Sequence, residues 1–260
     1  MESGNNDISV ECDAGVMWIR LCRPQAMNAL SSGMLDVIAE SIDLAANDDA
    51  VRCVVLIGEG KAFCSGADLS AVPEGSDGLA AFVAKASTTM SRIEALEKPV
   101  IACLNGITLA GGLELALCAD IVVAAKSAQI GDGHVNFGFL PGAGGSVRLA
   151  RAIGPGRARF LLYSGKRLSA TDMERWGLVQ QVFEDDELHD QVSMLATRIA
   201  GNSPLVLRRL KALVASSVGG GITELLAEEL AANVAHADSY DMREGLAAFA
   251  EKRKPVFLGR

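Results

Sequence analysis

Two side chains able to carry a proton stand twenty residues apart in glycine-rich surroundings. Glu114 lies in "NGITLAGGLELALCAD" (105–120) and His134 in "GDGHVNFGFLPGAGGS" (131–146). A carboxylate can take a proton from water, and an imidazole, with an ordinary pKa of ~6.5, serves as acid or base near neutrality. Asp132, two residues before the histidine, is placed to orient its ring. The glycines suggest a second kind of chemistry. In "GKAFCSGADLS" (60–70) and in 105–120, glycine lets the chain turn sharply after an apolar run and leaves main-chain N–H groups open to a ligand. The second stretch enters a helix, whose start carries unpaired donors and partial positive charge. Two such amides converging on one oxygen would make an oxyanion hole. Taken bare, each loop is also what an ordinary turn after a strand requires. Glu114 has the bland reading of a solvated helix carboxylate, and His134 that of a pocket-lining residue with no proton role.

The elements that must position these groups are legible in part. "ISVEC" (8–12) and "VMWIRLC" (16–22) flank a "DAG" turn and read as a hairpin. Apolar residues at helical spacing over 31–48, with Ser31 at the start, predict a helix. "VRCVVLIGEG" (51–60), "PVIACLN" (99–105) and "DIVVAA" (120–125) are continuous apolar runs of the kind that fills buried strands, with a shorter strand at 128–131. A helix over about 78–96 separates the first two. Strands alternating with helices predict an α/β core. From about residue 141 the pattern turns helical, with one brief strand at 178–183 and a helix-start capping box at "SATD" (169–172). Residues 1–200 thus form the core, and 201–260 a helical appendage whose Ala-rich faces favour a subunit interface.

The composition narrows the function. Half of the 260 residues are apolar, with a net charge of −8, which argues against nucleic acid as a partner. The basic tail "EKRKPVFLGR" (251–260) is a local exception. Six scattered cysteines show no metal-ligand spacing and read as buried free thiols, so no metal site is expected. The N-terminal residues lack a targeting pattern and no run is long enough to span a membrane, so a cytoplasmic protein is expected. "PGAGGS" lacks the third glycine of a dinucleotide loop, there is no GxxxxGK[ST] phosphate loop, and no serine sits in a GxSxG elbow.

Four stretches together, "AFCSGADL" (62–69), "NGITLAGGLELALCADI" (105–121), "GFLPGAGGSVRLAR" (138–151) and "SATDMERWGLV" (169–179), resemble the crotonase superfamily, the enoyl-CoA hydratase/isomerase family. The resemblance runs from "RPQAMNAL" (23–30) to "EGLAAFAEKRKPVF" (244–257). It implies a spiral of repeated ββα units followed by C-terminal helices that mediate trimerisation, in a homotrimer or a dimer of trimers. It also implies an acyl-CoA thioester substrate, with coenzyme A as part of the substrate and no separate cofactor. The N–H groups of Ala67 and Gly111 match the family's oxyanion hole. Ala62, Gly66, Ala67, Asp68, Leu69, Ser70 and Gly112 would line the substrate path, and a C-terminal lysine, Lys252 or Lys254, would meet the nucleotide phosphates. Family hydratases use two glutamates. Glu114 matches the first, and His134 stands where the second is found. The resemblance implies addition of water to a 2-enoyl-CoA. Isomerisation, dehydration, hydrolysis, C–C cleavage or a non-catalytic acyl-CoA- or RNA-binding role are the alternatives. The segment 71–90 is expected to shape the acyl pocket, and Arg148 and Arg151 to be structural.

Overall fold

In a computed structural model, which describes residues 7–71 and 76–260, strands β1 (Ile8–Asp13) and β2 (Val16–Leu21) pair antiparallel. Ala14 and Gly15 turn the chain between them, both at positive φ, as a tight hairpin demands. Helix α1 (Ser32–Asn47) follows, its first turn capped by the Ser31 hydroxyl, which accepts from the Met34 N–H at 3.2 Å.

Three pairs of strands come next, each pair followed by a helix. Strand β3 (Cys53–Gly58) leads to β4 (Ala62–Cys64) and α2 (Ser76–Ala95). Strand β5 (Val100–Leu104) leads to β6 (Ile107–Leu109) and α3 (Gly111–Ala116). Strand β7 (Ile121–Ala125) leads to β8 (Gln129–Gly131), a 3-10 turn (His134–Phe137) and α4 (Gly145–Ile153). The first member of each pair joins a six-stranded sheet ordered β1, β2, β3, β5, β7 and a last strand described below, parallel from β2 onward. The second member joins a smaller sheet in which β4, β6 and β8 run parallel. The chain therefore advances by one ββα turn at a time, which is the spiral that the resemblance implies. Strands β3 and β5 are buried along their whole length, and so read as unbroken apolar runs.

Helix α5 (Pro155–Ser164), strand β9 (Arg167–Ser169) and helix α6 (Ala170–Trp176) extend the spiral, and β10 (Gln181–Phe183) closes the large sheet beside β7. β9 pairs antiparallel with β8, so the chain beyond residue 141 holds two strands and not the one expected. Ser169 caps α6, accepting from the Asp172 N–H at 3.1 Å as the "SATD" pattern predicts. Helix α7 (Leu188–Ala200) packs on the large sheet. Helices α8 (Pro204–Ser216), α9 (Ile222–His236) and α10 (Tyr240–Glu251) complete the chain. Buried Asp241 ties the tail down, accepting from the N–H groups of Leu258 and Gly259 at 2.8 and 3.1 Å. Helix α9 buries none of its residues, and Leu226, Leu230 and Val234 all face outward. Among the described residues no helix is long and apolar enough to cross a membrane. Cys53, Cys64, Cys103 and Cys118 are buried, and burial pushes each thiol up to about 12; Cys12, against expectation, is exposed.

Candidate active site

The small sheet ends where the chemistry gathers. Leu30 bridges to Ala67 in parallel fashion: its N–H donates to the Gly66 carbonyl and its carbonyl accepts from the Asp68 N–H, both at 2.8 Å. That pairing occupies the polar groups on one edge and turns the Ala67 N–H to the other. The brace itself is fixed by Asn28, fully buried, whose Nδ2 donates to the carbonyls of Glu59 and Ala62 while its Oδ1 accepts from the Arg23 N–H.

One strand along, β6 ends at Ala110, whose φ of 48° and ψ of −119° lie in a region that side chains avoid. The Ala110 N–H donates to the Gly131 carbonyl, which pins the turn. This strained turn throws α3 into its first residue, Gly111, so the strain sits beside an open main-chain N–H group. A Cβ built on Gly111 would lie 3.5 Å from the Ala67 nitrogen, so the two loop starts are neighbours. Among the described residues neither the Ala67 nor the Gly111 N–H has an acceptor. Gly112 is glycine for a different reason: a Cβ there would collide with the Cys64 carbonyl. It sets how closely α3 approaches β4.

Glu114, one helical turn on, is only 3% exposed. Its Oε1 accepts from the N–H groups of Ala143 at 2.8 Å and Gly145 at 2.9 Å, at the start of α4. Burial raises its pKa above the usual carboxylate value. The two amides and the charge of His134 pull the other way but do not cancel the burial. These amides come from "PGAGG", a stretch that the sequence offers as a failed nucleotide loop and as part of the family resemblance, but not as a partner for Glu114. Glycines ahead of a helix start, aimed at a carboxylate, were the available signal. Arg148 supports that loop, donating to the Ala143 carbonyl at 2.7 Å and pairing with Glu94, so the structural role expected of it holds.

His134 lies on the segment that follows β8. Gly133, at a φ of 75°, turns the chain from β8 into the 3-10 turn. Asp132, 1% exposed, meets the histidine twice. Its Oδ1 accepts from the His134 N–H at 3.1 Å, and its Oδ2 lies 2.9 Å from Nδ1. Burial lowers the His134 pKa, but the Asp132 hydrogen bond and the charges of Asp132 and Glu114 outweigh it, and the net shift is upward from 6.5. Asp132 does orient His134, as the two-residue spacing allows.

A cavity of about 570 Å³ joins these parts. Ala67, Gly111, Glu114, Asp132 and His134 line it, with Leu69. Leu79, Phe82, Val83, Ala86 and Met90 of α2 form an apolar wall, as expected of the segment 71–90, whose residues 72–75 lie outside the described ones. Several other expected contacts are not on its surface. Ala62 is buried in β4, where its carbonyl accepts from Asn28 and Asn105. Asp68 pairs with Arg23 at 2.9 Å and accepts from Ser70 at 2.6 Å, so both serve the loop. The Ser70 hydroxyl, with the Arg23 hydrogen bond and charge, outweighs the opposing effect of burial and leaves the Asp68 carboxyl below its ordinary value. Gly66 and Gly112 shape the neighbouring backbone, and Lys252 and Lys254 lie at the exposed tail away from this cavity.

Sequence and structure comparisons agree on the relatives of this arrangement. The family model described as enoyl-CoA hydratase/isomerase matches residues 11–260. The chain belongs to the enoyl-CoA hydratase/isomerase family. A crotonyl-CoA hydratase from Syntrophomonas wolfei is 36% identical, covering 98% of each chain. A 2,3-dehydroadipyl-CoA hydratase from Escherichia coli is 34% identical, over 98% of this chain and all of the relative. The crystal structure of an enoyl-CoA hydratase from Bacillus anthracis superposes with a TM-score of 0.94 at 36% identity, over 98% of this chain and 100% of that one.

Proposed function

We propose that the protein adds water to the double bond of a 2-enoyl-CoA thioester. The observation that carries this reading is that Glu114 and the Asp132–His134 pair line one cavity, beside two open main-chain N–H groups. The thioester oxygen accepts from the N–H groups of Ala67 and Gly111. Glu114 takes a proton from water as the oxygen bonds the β-carbon. The electron pair of the double bond moves toward the thioester, and the enolate charge settles on the oxygen facing the two amides. One such donor contributes about 3–4 kcal/mol of transition-state stabilisation. His134, as imidazolium, then delivers a proton to the α-carbon, giving a 3-hydroxyacyl-CoA. The proton held by Glu114 returns to the imidazole, and the site is reset.

Isomerisation within the same fold needs one base shuttling one proton. A second proton carrier across the cavity supports hydration instead, and the names of the relatives point the same way. The reading includes assembly of three copies, or two such trimers, over the outward apolar residues of α9, which the mass of the particle in solution tests. It also includes Lys254 as a contact to the nucleotide phosphates, supported by the basic tail alone.

The decisive experiment follows loss of enoyl-thioester absorbance with crotonyl-CoA, with the product identified by mass. Wild-type protein should form the hydroxyacyl ester. Glu114→Gln should lose roughly 10³-fold or more in turnover, within the span of positioned acid–base groups, while still binding a CoA ester. An unaltered rate in that variant removes Glu114 from the mechanism. An isomerised product with no added water removes hydration.

A further inference from the structure

The cavity wall that carries His134 contains a second acid, Asp132, which the hydration scheme above does not use. Its burial is nearly complete, and among the described residues it has no cationic side chain as a partner other than the imidazole. Both of its oxygens are committed to one residue, Oδ1 to the His134 main chain and Oδ2 to the ring. The only ring nitrogen left for the cavity is therefore Nε2. Glu114 faces the same space from α3, and Arg167 of β9 lines it without an acidic partner among the described residues.

Resting on the hydratase reading, we propose that Asp132 is a positioning residue that holds His134 as an Nε2 proton donor, both by fixing the ring and by setting its charge. With Nδ1–H donated to Asp132, loss of the Nε2 proton to the α-carbon leaves the neutral tautomer whose lone pair faces Glu114. That tautomer is the one able to take back the proton that Glu114 removed from water. Without the carboxylate, an uncharged neighbour can equally donate to Nδ1, which puts the remaining ring proton on Nε2 and blocks reloading. Family hydratases that use a second glutamate have no such requirement, because a carboxylate needs no tautomer. Substituting histidine at position 134 thus makes the side chain at position 132 part of the proton path, although it never touches substrate.

Asp132→Asn, nearly isosteric, tests this by two routes. The first reads His134 directly by NMR titration of ring-labelled protein, the His134 signal being identified by its loss in His134→Gln, since only His189 and His236 remain. Wild-type protein should show the Nδ1–H tautomer and a pKa above 6.5. The variant should titrate lower by on the order of one pH unit, with the Nε2–H tautomer gaining. An unchanged pKa and tautomer overturns the proposal, whatever the enzyme's reaction is. The second reads kcat/KM for crotonyl-CoA against pH. The decline toward high pH should begin at lower pH in the variant, with the affinity for the CoA ester retained. A rate reduced by one constant factor at every pH would show Asp132 to be merely structural and would overturn the proposal too. If wild-type protein hydrates nothing while the NMR shift is present, the hydratase reading fails and the role of Asp132 in holding the ring survives. Should Asp132→Asn not fold, Asp132→Ser removes the same charge and is titrated in the same way.

Discussion

Glu114 is held by main-chain groups from a later turn of the spiral, some thirty residues away in sequence, whereas His134 is held by a side chain two residues off. The first arrangement exists only when α3 and α4 are docked, and the second is nearly complete within one short loop. Both walls raise a pKa, but by opposing physics. Glu114 is raised because burial disfavours its charge. His134 is raised in spite of burial, because its neighbours are negative. One wall therefore depends on the fold for its chemistry, and the other on local charge.

The largest break of that contrast is Glu114→Ala. It leaves the N–H groups of Ala143 and Gly145 buried without an acceptor, at about 1–3 kcal/mol for each group left unpaired. The variant should be inactive and also melt lower than wild type. Glu114→Gln still offers an oxygen to both amides. A carboxyl raised by burial supports the fold below its ordinary value, and that support is lost as pH rises through the raised one. The glutamine variant should thus melt no lower than wild type at pH 7, and a lower melting temperature there would refute the account of this wall.

His134→Gln should have the next largest effect, about 10²-fold in kcat, within the span of a general acid. Its effect on stability should be small and set by pH. A histidine with a raised pKa stabilises the fold fully below its ordinary value of ~6.5, and this is lost as pH rises through the folded-state value. The melting difference between wild type and variant should shrink from pH 6 to pH 9. A difference that grows over that range would contradict the assigned charges.

The smallest effect belongs to the apolar wall, which neither proton carrier needs. Phe82→Leu should shift the ratio of kcat/KM for hexenoyl-CoA over crotonyl-CoA by about 10-fold, as added pocket volume discriminates chains only modestly. Equal kcat/KM changes for both esters would show that α2 does not read the acyl chain.

What the sequence revealed follows the same division. Long elements with a clear period, such as β3, β5 and α1, were legible because burial writes them into hydropathy. Strands β4, β6 and β9 have three residues each, too few for any period, and two of them hid inside the glycine loops. The repeat was invisible in the letters because it is a repeat of path, with different side chains on each turn. Glu114, His134 and Asp132 could be marked by type and spacing. The amides of Ala143 and Gly145 could not, because a main-chain donor carries no residue type, and the loop that bears them resembled a weaker motif. Asp68, marked for the substrate path, pairs with Arg23, and Ser70, marked with it, donates to Asp68, so both brace their own loop.

The turn at Ala110 carries a consequence for how such a protein can change over generations. Its methyl group abuts Gly66, the would-be Cβ there lying 3.1 Å from it, so the gap between the two donor loops is gauged by backbone and one small group. Under the proposed hydration, substitutions along the α2 wall would alter which chain length is welcomed while leaving that gauge untouched. Inheritance would then retune appetite for one acyl tail or another without ever having to reinvent the proposed grip on the carbonyl.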